Sequence, residues 1–359
     1  MPSPQFAVTT CPMIRSFLRP TVRRCFTTTT TTATTATTEP PHHPHQRPHN
    51  PAADIAHMQR YIRLRKSRKF RMQTKRAVLA GSKLIDELFE RTLNNHPPAI
   101  RHIYLDATVP EWVQHRWQKK AEHASVDFDI KVTNTIHPAL SRGNDFSTMT
   151  GMTHNNEGIA AEIDLPLQLN AVDAAFLVKE SNSRVLVLDG LQDPGNVGTL
   201  IRTAYLLGWD LVCLGTGSVD ASNDKVLRAS GGTVFDMPIY GGPINALLKQ
   251  IMMNNHSKAK PNHSVQCLLA DMGNDVDGKG GGSEGNDDSL AMCSQNLLLD
   301  TDATVVLVLG NEGNGVTRSN VSNTATKTGT ITVKTRDSKV GSLGVASAGS
   351  ILMHALRYR

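Results

Sequence analysis

The stretch Leu188–Asp210, LDGLQDPGNVGTLIRTAYLLGWD, begins as the end of an apolar strand and continues as a helix. Between them lies a turn with Gly195, Asn196 and Gly198, and Arg202 follows one helical turn later. Glycine permits positive φ and close backbone approach, and a helix N-terminus offers unpaired N–H groups to an anion. The stretch therefore predicts a strand–turn–helix unit that holds a ligand beyond the carboxyl end of its strand.

Apolar strands alternate with helices on both sides of this stretch, which predicts a mostly parallel sheet covered on both faces. The strands expected are RVLVLD (184–189), LVCLG (211–215), VFDMPIY (234–240), QCLLADM (266–272), TVVLVLG (304–310) and TITVK (330–334); the helices are expected at 197–207, from 225, and at 342–357. Residues 273–296, rich in Gly, Asp and Ser, are expected to be a disordered insertion in this 184–359 domain.

A smaller α/β domain is predicted ahead of that sheet, at 58–168, with a connector at 169–183. Strands are expected at 103–107, 128–132 and 158–166, and a helix at 111–124. Residues 27–57, with a threonine tract followed by PPHHPHQRPHNP, cannot bury enough apolar area to offset their ordering entropy and are predicted to be a linker.

The first residues resemble a targeting segment. No acidic residue precedes Glu39, and arginines recur among Ser, Thr and apolar residues. This composition predicts an organellar transit peptide at 1–26, with a processing site near Phe26 in RRCFTTT. A mitochondrial destination is favoured over a plastid, and a disordered cytosolic tail is the alternative.

Composition narrows the classes of ligand. No apolar run reaches the ~18–20 residues that span a bilayer, so no membrane partner is predicted. The net charge of +6 favours a polyanionic partner. The histidines of the linker lie in a proline-rich context that fixes no geometry, and five cysteines form no CxxC pair, so neither a metal site nor a disulfide framework is predicted; the cysteines are Cys11, Cys25, Cys213, Cys267 and Cys293.

Two further segments of the larger domain carry unusual small residues. LGNEGNGV (309–316) follows a strand, and the final helix, within SLGVASAGSILMHAL, is crowded with Gly, Ala and Ser. Each feature alone is also expected of a plain βα turn or of a closely packed helix. The opening turn lacks the GxGxxG spacing of a dinucleotide fingerprint, which argues against a nicotinamide-dependent oxidoreductase, and no Walker loop GxxxxGK[ST] is present, which argues against a phosphate-loop enzyme.

The three motifs Asn196-x-Gly198-x-x-x-Arg202, Leu309-Gly-Asn-Glu-Gly-x-Gly315 and Val340-x-Ser-Leu-x-Val345 resemble the ordered motifs of the SpoU/TrmH class of SPOUT RNA methyltransferases. KVLRASGGTVFDMPI (225–239) is similar to the segment between the first and second motifs of that class. KRAVLAGSKLIDEL and EGIAAEI resemble an L30e-like substrate-binding domain. The resemblance implies an L30e-like α/β domain followed by an α/β trefoil-knot domain, and a homodimer.

The resemblance also implies an activity, in which S-adenosylmethionine methylates a ribose 2′-hydroxyl of rRNA or tRNA. Carried over by motif, the catalytic residues are Arg202, Asn196, Glu312 and Ser342, and the cofactor contacts are Gly310, Val333 and Leu343. Because a guanidinium group stays protonated in proteins, Arg202 suits the role of a fixed cation beside the reacting oxygen better than that of a base.

A run of cations in the smaller domain suits an RNA surface, because phosphate neutralisation supplies sequence-independent affinity. The alternative is a solvated helix face. The RNA contacts predicted are Arg63, Arg65, Lys66, Arg68, Lys69 and Arg71.

The third motif departs from the family. The family usually has Ser-Leu-Asn-Val-Ser, whereas this chain has Gly344 and Ala346 at the third and fifth positions. A side-chain amide and a hydroxyl beside the expected reaction centre are therefore missing. The alternative function is an RNA-binding or ribosome-assembly factor with weakened catalysis on the same fold.

Overall fold

The computed structural model describes residues 51–93, 100–106, 109–123, 131–135, 145–152, 158–178, 182–256, 264–270, 303–311, 315–316, 327–331, 333 and 343–357. All of them belong to one compact body, Pro51–Arg359. No helix in these ranges is long and apolar enough to cross a membrane.

The first part of the body is a four-stranded sheet flanked by helices. Its order is β1-β4-β2-β3; β4 runs antiparallel to β1 and β2, and β3 runs parallel to β2. The elements are α1 Pro51–Lys66, α2 Arg68–Thr74, β1 Arg76–Ala80, α3 Ser82–Leu93, β2 Ile100–Asp106, α4 Glu111–His123, β3 Lys131–Thr135, α5 Asp145–Thr150 and β4 Ile159–Asp164.

Alternation along the strands gives this small sheet two covered faces. On one face Val78, Tyr104 and Ala160 pack against Tyr61 and Leu64 of α1. The opposite face enters the largest apolar cluster of the body, where its residues are joined by α3, α4 and side chains of the second sheet. Helix α1 is therefore fixed to the sheet by its apolar side.

The second part is a seven-stranded sheet in which every described pair of strands is parallel. Its order is β11-β9-β10-β6-β7-β8-β5. The elements are β5 Gln168–Leu169, α6 Ala171–Leu177, β6 Arg184–Asp189, α7 Pro194–Leu206, β7 Leu211–Leu214, α8 Asp224–Ala229, a 3₁₀ turn Thr233–Phe235, β8 Ile239–Gly241, α9 Ile244–His256, β9 Val265–Ala270, β10 Thr304–Gly310, β11 Lys327–Ile331 and α10 Val345–Ala355.

The central strands are apolar along their whole length because both faces of this sheet are covered. In β6, Leu186 and Leu188 enter the cluster that includes α7 and α10, whereas Val185 and Val187 enter the cluster of α6 and α9. β10 divides in the same way. This confirms the predicted parallel sheet with helices on both faces.

Several boundaries differ from the sequence-based predictions. Helix α1 begins at Pro51, inside the predicted linker, and the predicted connector contains α6 and the last residue of β5, which pairs with β8 at the edge of the large sheet. Strands β1 and β5 and helix α9 are additional elements. The transit peptide 1–26 and the insertion 273–296 lie outside the described residues and remain predictions, as does the trefoil knot.

Candidate active site

The turn between β6 and α7 lies at the carboxyl edge of the large sheet. Helix α7 begins with Pro194, and the Asp193 side chain caps it by accepting a hydrogen bond of 2.7 Å from the Asn196 amide. The hydroxyl of Ser218 accepts from the Leu191 amide at 3.1 Å and donates to the Leu188 carbonyl at 2.9 Å. The turn is therefore held by the loop that follows β7.

The turn after β10 is tied to the first turn. The side-chain amide of Asn311 donates to the Gly190 carbonyl at 3.1 Å, and the Gly315 amide donates to the Asn311 carbonyl at 2.8 Å. A Cβ on Gly310 would collide with the Gly315 backbone, so this tight return of the chain requires glycine at 310. Asn311 was part of the quoted motif but not among the predicted site residues; an asparagine between turn glycines was the available signal.

Helix α10 runs antiparallel to the strands and brings the third motif to the same edge. Near the carboxyl end of β10, an ideal Cβ on Gly349 would lie 2.5 Å from Leu309 Cδ1 and 2.7 Å from Leu200 Cδ2. At the opposite edge, Arg184 Nε donates to the carbonyl of Leu356 at 2.8 Å. The small residues of α10 thus allow close packing on α7 and β10 within the chain, and Leu343 lies two residues before the helix.

Arg202 is exposed on α7, and its guanidinium group lies beside Gly231, whose φ is +58°. An ideal Cβ on Gly231 would be 3.5 Å from Arg202 Nη1. On another side of α7, a Cβ on Gly198 would lie 2.6 Å from Ala229 Cβ and 2.8 Å from the Val226 carbonyl oxygen. Gly198 therefore serves close packing of α7 on α8.

The structure brings some of the predicted residues to one edge and separates others. Gly310 ends β10, Val333 lies two residues after β11 on the other side of β9, and Leu343 precedes α10. Asn196 and Arg202 are about 9 Å apart along α7 and differ by roughly 120° around its axis, so they do not face each other. Glu312 and Ser342 lie outside the described residues.

The predicted RNA contacts divide by exposure. Arg63, Lys66, Arg68 and Lys69 are exposed on α1 and α2, here called the basic helices. Arg65 is half-buried against Gly151.

The prediction that Arg71 contacts RNA is wrong, because Arg71 is 2% exposed and forms an ion pair of 2.7 Å with Asp220. A buried, paired guanidinium group offers no contact to RNA, so Arg71 is not part of that surface.

The described residues contain no group of three His, Cys, Asp or Glu side chains that could hold a metal ion.

Cys213 on β7 and Cys267 on β9 are buried free thiols. Burial, with the nearby Asp189 carboxylate, raises the pKa of Cys213 far above its usual value, and burial raises the pKa of Cys267 to about 12. Both thiols therefore stay protonated and suit packing rather than nucleophilic chemistry.

Comparison with known proteins gives a consistent family. Residues 183–354 match the model of the SpoU rRNA Methylase family. The 23S rRNA (guanosine(2553)-2′-O)-methyltransferase RlmP of Bacillus subtilis is 46% identical over 79 residues, which are 22% of this chain and 32% of that protein. The mitochondrial rRNA methyltransferase 3 of Mus musculus is 51% identical over 55 residues, 15% of this chain and 13% of that protein. The chain thus spans well under half the length of each of these two relatives.

Solved structures share the fold over a longer range. The SpoU methyltransferase AviRb from Streptomyces viridochromogenes, in complex with AdoMet, superposes with a TM-score of 0.56 at 16% identity, covering 84% of this chain and 97% of that one. At this identity the likeness concerns the fold alone. Together with the parallel sheet and the three motif-bearing segments at one edge, the family match means that this chain carries, in residues 183–354, a domain of the SpoU rRNA methylase family.

Proposed function

We propose that the chain transfers a methyl group from S-adenosylmethionine to a ribose 2′-hydroxyl of ribosomal RNA. The observation that carries this proposal is the exposed Arg202 on α7, whose guanidinium group lies beside Gly231. Helix α7 follows the turn whose Gly190 carbonyl accepts a hydrogen bond from Asn311. The names of the two relatives, both rRNA methyltransferases, support rRNA over tRNA as substrate.

The residues at the carboxyl edge fit a nucleoside-type cofactor. Gly310 leaves bare backbone at a partly exposed turn, and Leu343 is 37% exposed. Val333 packs against the large apolar cluster. Bare backbone for polar contacts beside apolar side chains is the combination that a nucleoside bearing a sulfonium group would use. S-adenosylmethionine would supply a methyl group on a cationic sulfur.

Arg202 would act on the RNA side of the reaction. A guanidinium group binds phosphate with a planar set of donors, and its charge stabilises the oxygen as negative charge develops on it. The hydroxyl proton would leave to water, because a protonated guanidinium group cannot accept it. Asn196, Glu312 and Ser342 remain the proposed further catalytic residues, with Asn196 in the first turn of α7.

The basic helices would hold the RNA. Arg63, Lys66, Arg68 and Lys69 present exposed cations on consecutive helices, and Arg65 lies half-buried between them. Arg63 also stacks over the Phe70 ring, 4.2 Å from its centroid, which orders one of the cations. Since such contacts are independent of sequence, they would supply affinity and not the choice of nucleotide.

A homodimer would complete the site. Leu206 is 63% and Tyr205 41% exposed on α7, close after Arg202, and Leu343 is exposed two residues before α10. A second copy of the chain docked on these side chains would close the side of the site next to Arg202. Sedimentation should give a dimer, and Leu206→Lys should shift it to the monomer.

The compartment proposed is the mitochondrion, with the plastid as the alternative. The mouse relative is named a mitochondrial protein, and the composition of residues 1–26 is that of a transit peptide. Import of the full chain into isolated mitochondria, with loss of an N-terminal segment, would support this assignment.

The activity is tested by transfer of labelled methyl groups to rRNA isolated from cells that lack this protein. Arg202→Ala should lower kcat by at least about 100-fold, the usual loss for a deleted electrostatic contact to the transition state. Lys249→Ala is the matched control and should leave the rate unchanged. It deletes an exposed charge on α9, which covers the opposite face of the sheet. Absence of transfer by the unmutated protein while it still binds rRNA would favour the alternative, a binding factor.

Gly344 is the observation that favours that alternative. It precedes α10 as the N-cap without a side-chain cap, where the family usually has asparagine. If the missing amide matters to catalysis, transfer by this chain will be slow, and the protein will act mainly through rRNA binding.

A further inference from the structure

Arg71 is buried at the junction between the basic helices and the part of the body built on the seven-stranded sheet. Its Nη1 donates to the carbonyls of Leu64 and Arg65 at 2.8 and 2.9 Å, which satisfies acceptors at the end of α1. Its Nη2 donates to Asp220 at 2.7 Å, and its Nε donates to the Ser222 hydroxyl at 3.0 Å. One planar group thus contacts two segments of the chain in fixed directions.

Asp220 begins a stretch that receives further contacts from the part of the body built on the four-stranded sheet, here called the small domain. We name Asp220–Asp236, which contains α8 and the 3₁₀ turn, the bridge segment. At its far end Asp236 pairs with both terminal nitrogens of Arg91 from α3. In its middle, an ideal Cβ on Gly232 would lie 2.9 Å from Leu84 Cδ1. The small domain therefore touches the bridge segment at its start, middle and end.

The other side of the bridge segment contacts the helix that carries Arg202. Gly198 of α7 packs against the backbone of Val226 and Ser230. The Arg202 guanidinium group lies beside Gly231. The adjacent glycines 231 and 232 thus face the proposed reaction centre on one side and the small domain on the other.

We propose that Arg71 is a positioning residue, which fixes the basic helices to the bridge segment so that RNA held by those helices meets Arg202 in register. This inference rests on the proposed function, because it assigns the small domain's docking to the same reaction. Arg71 touches no substrate; it acts through Asp220, Ser222 and the Gly231–Gly232 turn.

The directional contacts distinguish this role from that of a simple fold anchor. Replacing a buried ion pair by apolar side chains of similar volume often preserves stability. It does not reproduce the fork that fixes the angle between two segments. A misplacement of about 1 Å can cost about 100-fold in rate, so loss of the fork should appear in kcat and not in cofactor binding.

The test compares three variants with the unmutated full-length protein, using rRNA from cells that lack this protein. Arg71→Met/Asp220→Leu replaces the pair by apolar side chains and avoids the unpaired charge that could unfold a single variant. Arg71→Lys keeps the charge and loses the fork. Gln73→Met, an exposed change on the same helix α2, is the control.

The double variant should lose at least about 10-fold in kcat while its KM for S-adenosylmethionine stays within about 2-fold. Arg71→Lys should recover part of that loss, and Gln73→Met should match the unmutated protein. A folded double variant with kcat within about 2-fold of the unmutated protein would overturn the proposal.

Hydrogen exchange separates this outcome from failure of the proposed function. The amides of Gly231 and Thr233 donate to Arg228 and Ser230 carbonyls at 3.0 and 3.2 Å and report on the turn beside Arg202. They should exchange at least about 10-fold faster in the double variant, without faster exchange in β6 and β10. If the unmutated protein transfers no methyl group, the enzyme proposal fails, and equal exchange at these amides would then reject the positioning role as well.

Discussion

At the residue scale, Arg71 shows how a run of like charges conceals two environments. The buried Leu64 lies on α1 and Arg71 lies on α2, and Ser67 separates the two helices, so helical periodicity along the run does not indicate that Arg71 is buried. The sequence alone therefore predicts one RNA surface for the whole run. Asp220, the partner of Arg71, is 149 residues away along the chain, and no local pattern predicts such a contact.

Gly198 gives a prediction about stability. In Gly198→Ala the new methyl group would meet the backbone of α8, at 2.8 Å from the Val226 carbonyl oxygen and 2.9 Å from the Ser230 amide nitrogen. Because backbone yields less than a side chain, we expect a loss of about 1–3 kcal/mol in the free energy of unfolding, measured by urea denaturation.

Gly195→Ala is the control in the same helix. Its methyl group meets the Asp193 carboxylate at 3.1 Å, a side chain that can move. The two variants losing equal stability would contradict the close packing of α7 on α8.

The variant Gly344→Asn is expected to be more stable than the unmutated protein. Nothing lies within 4 Å of an added Cβ, and the φ and ψ of −56° and 149° suit an N-cap. Gly344→Asn should therefore raise the free energy of unfolding by a few tenths of a kcal/mol, roughly the Asn–Gly difference at an N-cap. In the transfer assay, a clear rise in kcat would show that the missing amide limits catalysis, and an unchanged kcat would show that this chain works without it.

At the scale of elements, the strands with continuous apolar runs were predicted well and the short or amphipathic elements poorly. RVLVLD and TVVLVLG form β6 and β10 at the predicted limits, because both faces of the central strands are buried. β5 has two residues and was absent from the prediction, since so short an element leaves no periodicity. Helix α9 carried an apolar face, INALLKQIMM, and was overlooked.

The basic helices predict a salt dependence. Neutralising Arg63, Lys66, Arg68 and Lys69 together by Gln should weaken rRNA binding and reduce the slope of log K against log salt by about 3, since each phosphate contact contributes roughly 0.7–0.9. Binding is measured by filter retention between low and moderate salt. An unchanged slope would assign these cations to a solvated face.

At the scale of the whole molecule, one apolar cluster runs through both sheets, so the two predicted domains share a core. Sequence reasoning placed the three motifs at one sheet edge because the ends of parallel strands meet there. It could not place the small domain against the bridge segment, since that docking depends on contacts between residues far apart in the chain.

The buried thiols of Cys213 and Cys267 predict the pH dependence of stability and the accessibility of the large sheet to alkylation. Both carry raised pKa values, Cys267 about 12, so the folded state keeps its protons where the unfolded state loses them. The resulting stabilisation of the folded state is fully present below the unfolded pKa near 9, and it is lost as the pH rises through the pKa values of the folded state.

Alkylation at pH 8 should therefore reach these two cysteines only at the rate of global unfolding. Rapid labelling of Cys213 or Cys267 in the absence of denaturant would contradict the burial of β7 and β9.

The methyltransferase function is tested most directly by a map of 2′-O-methyl groups in mitochondrial rRNA from cells with the protein, without it, and with Arg202→Ala in its place. We expect at least one position that is methylated only when the unmutated protein is present. Identical maps in all three would contradict the methyltransferase function, and full methylation with Arg202→Ala would contradict the role given to that residue.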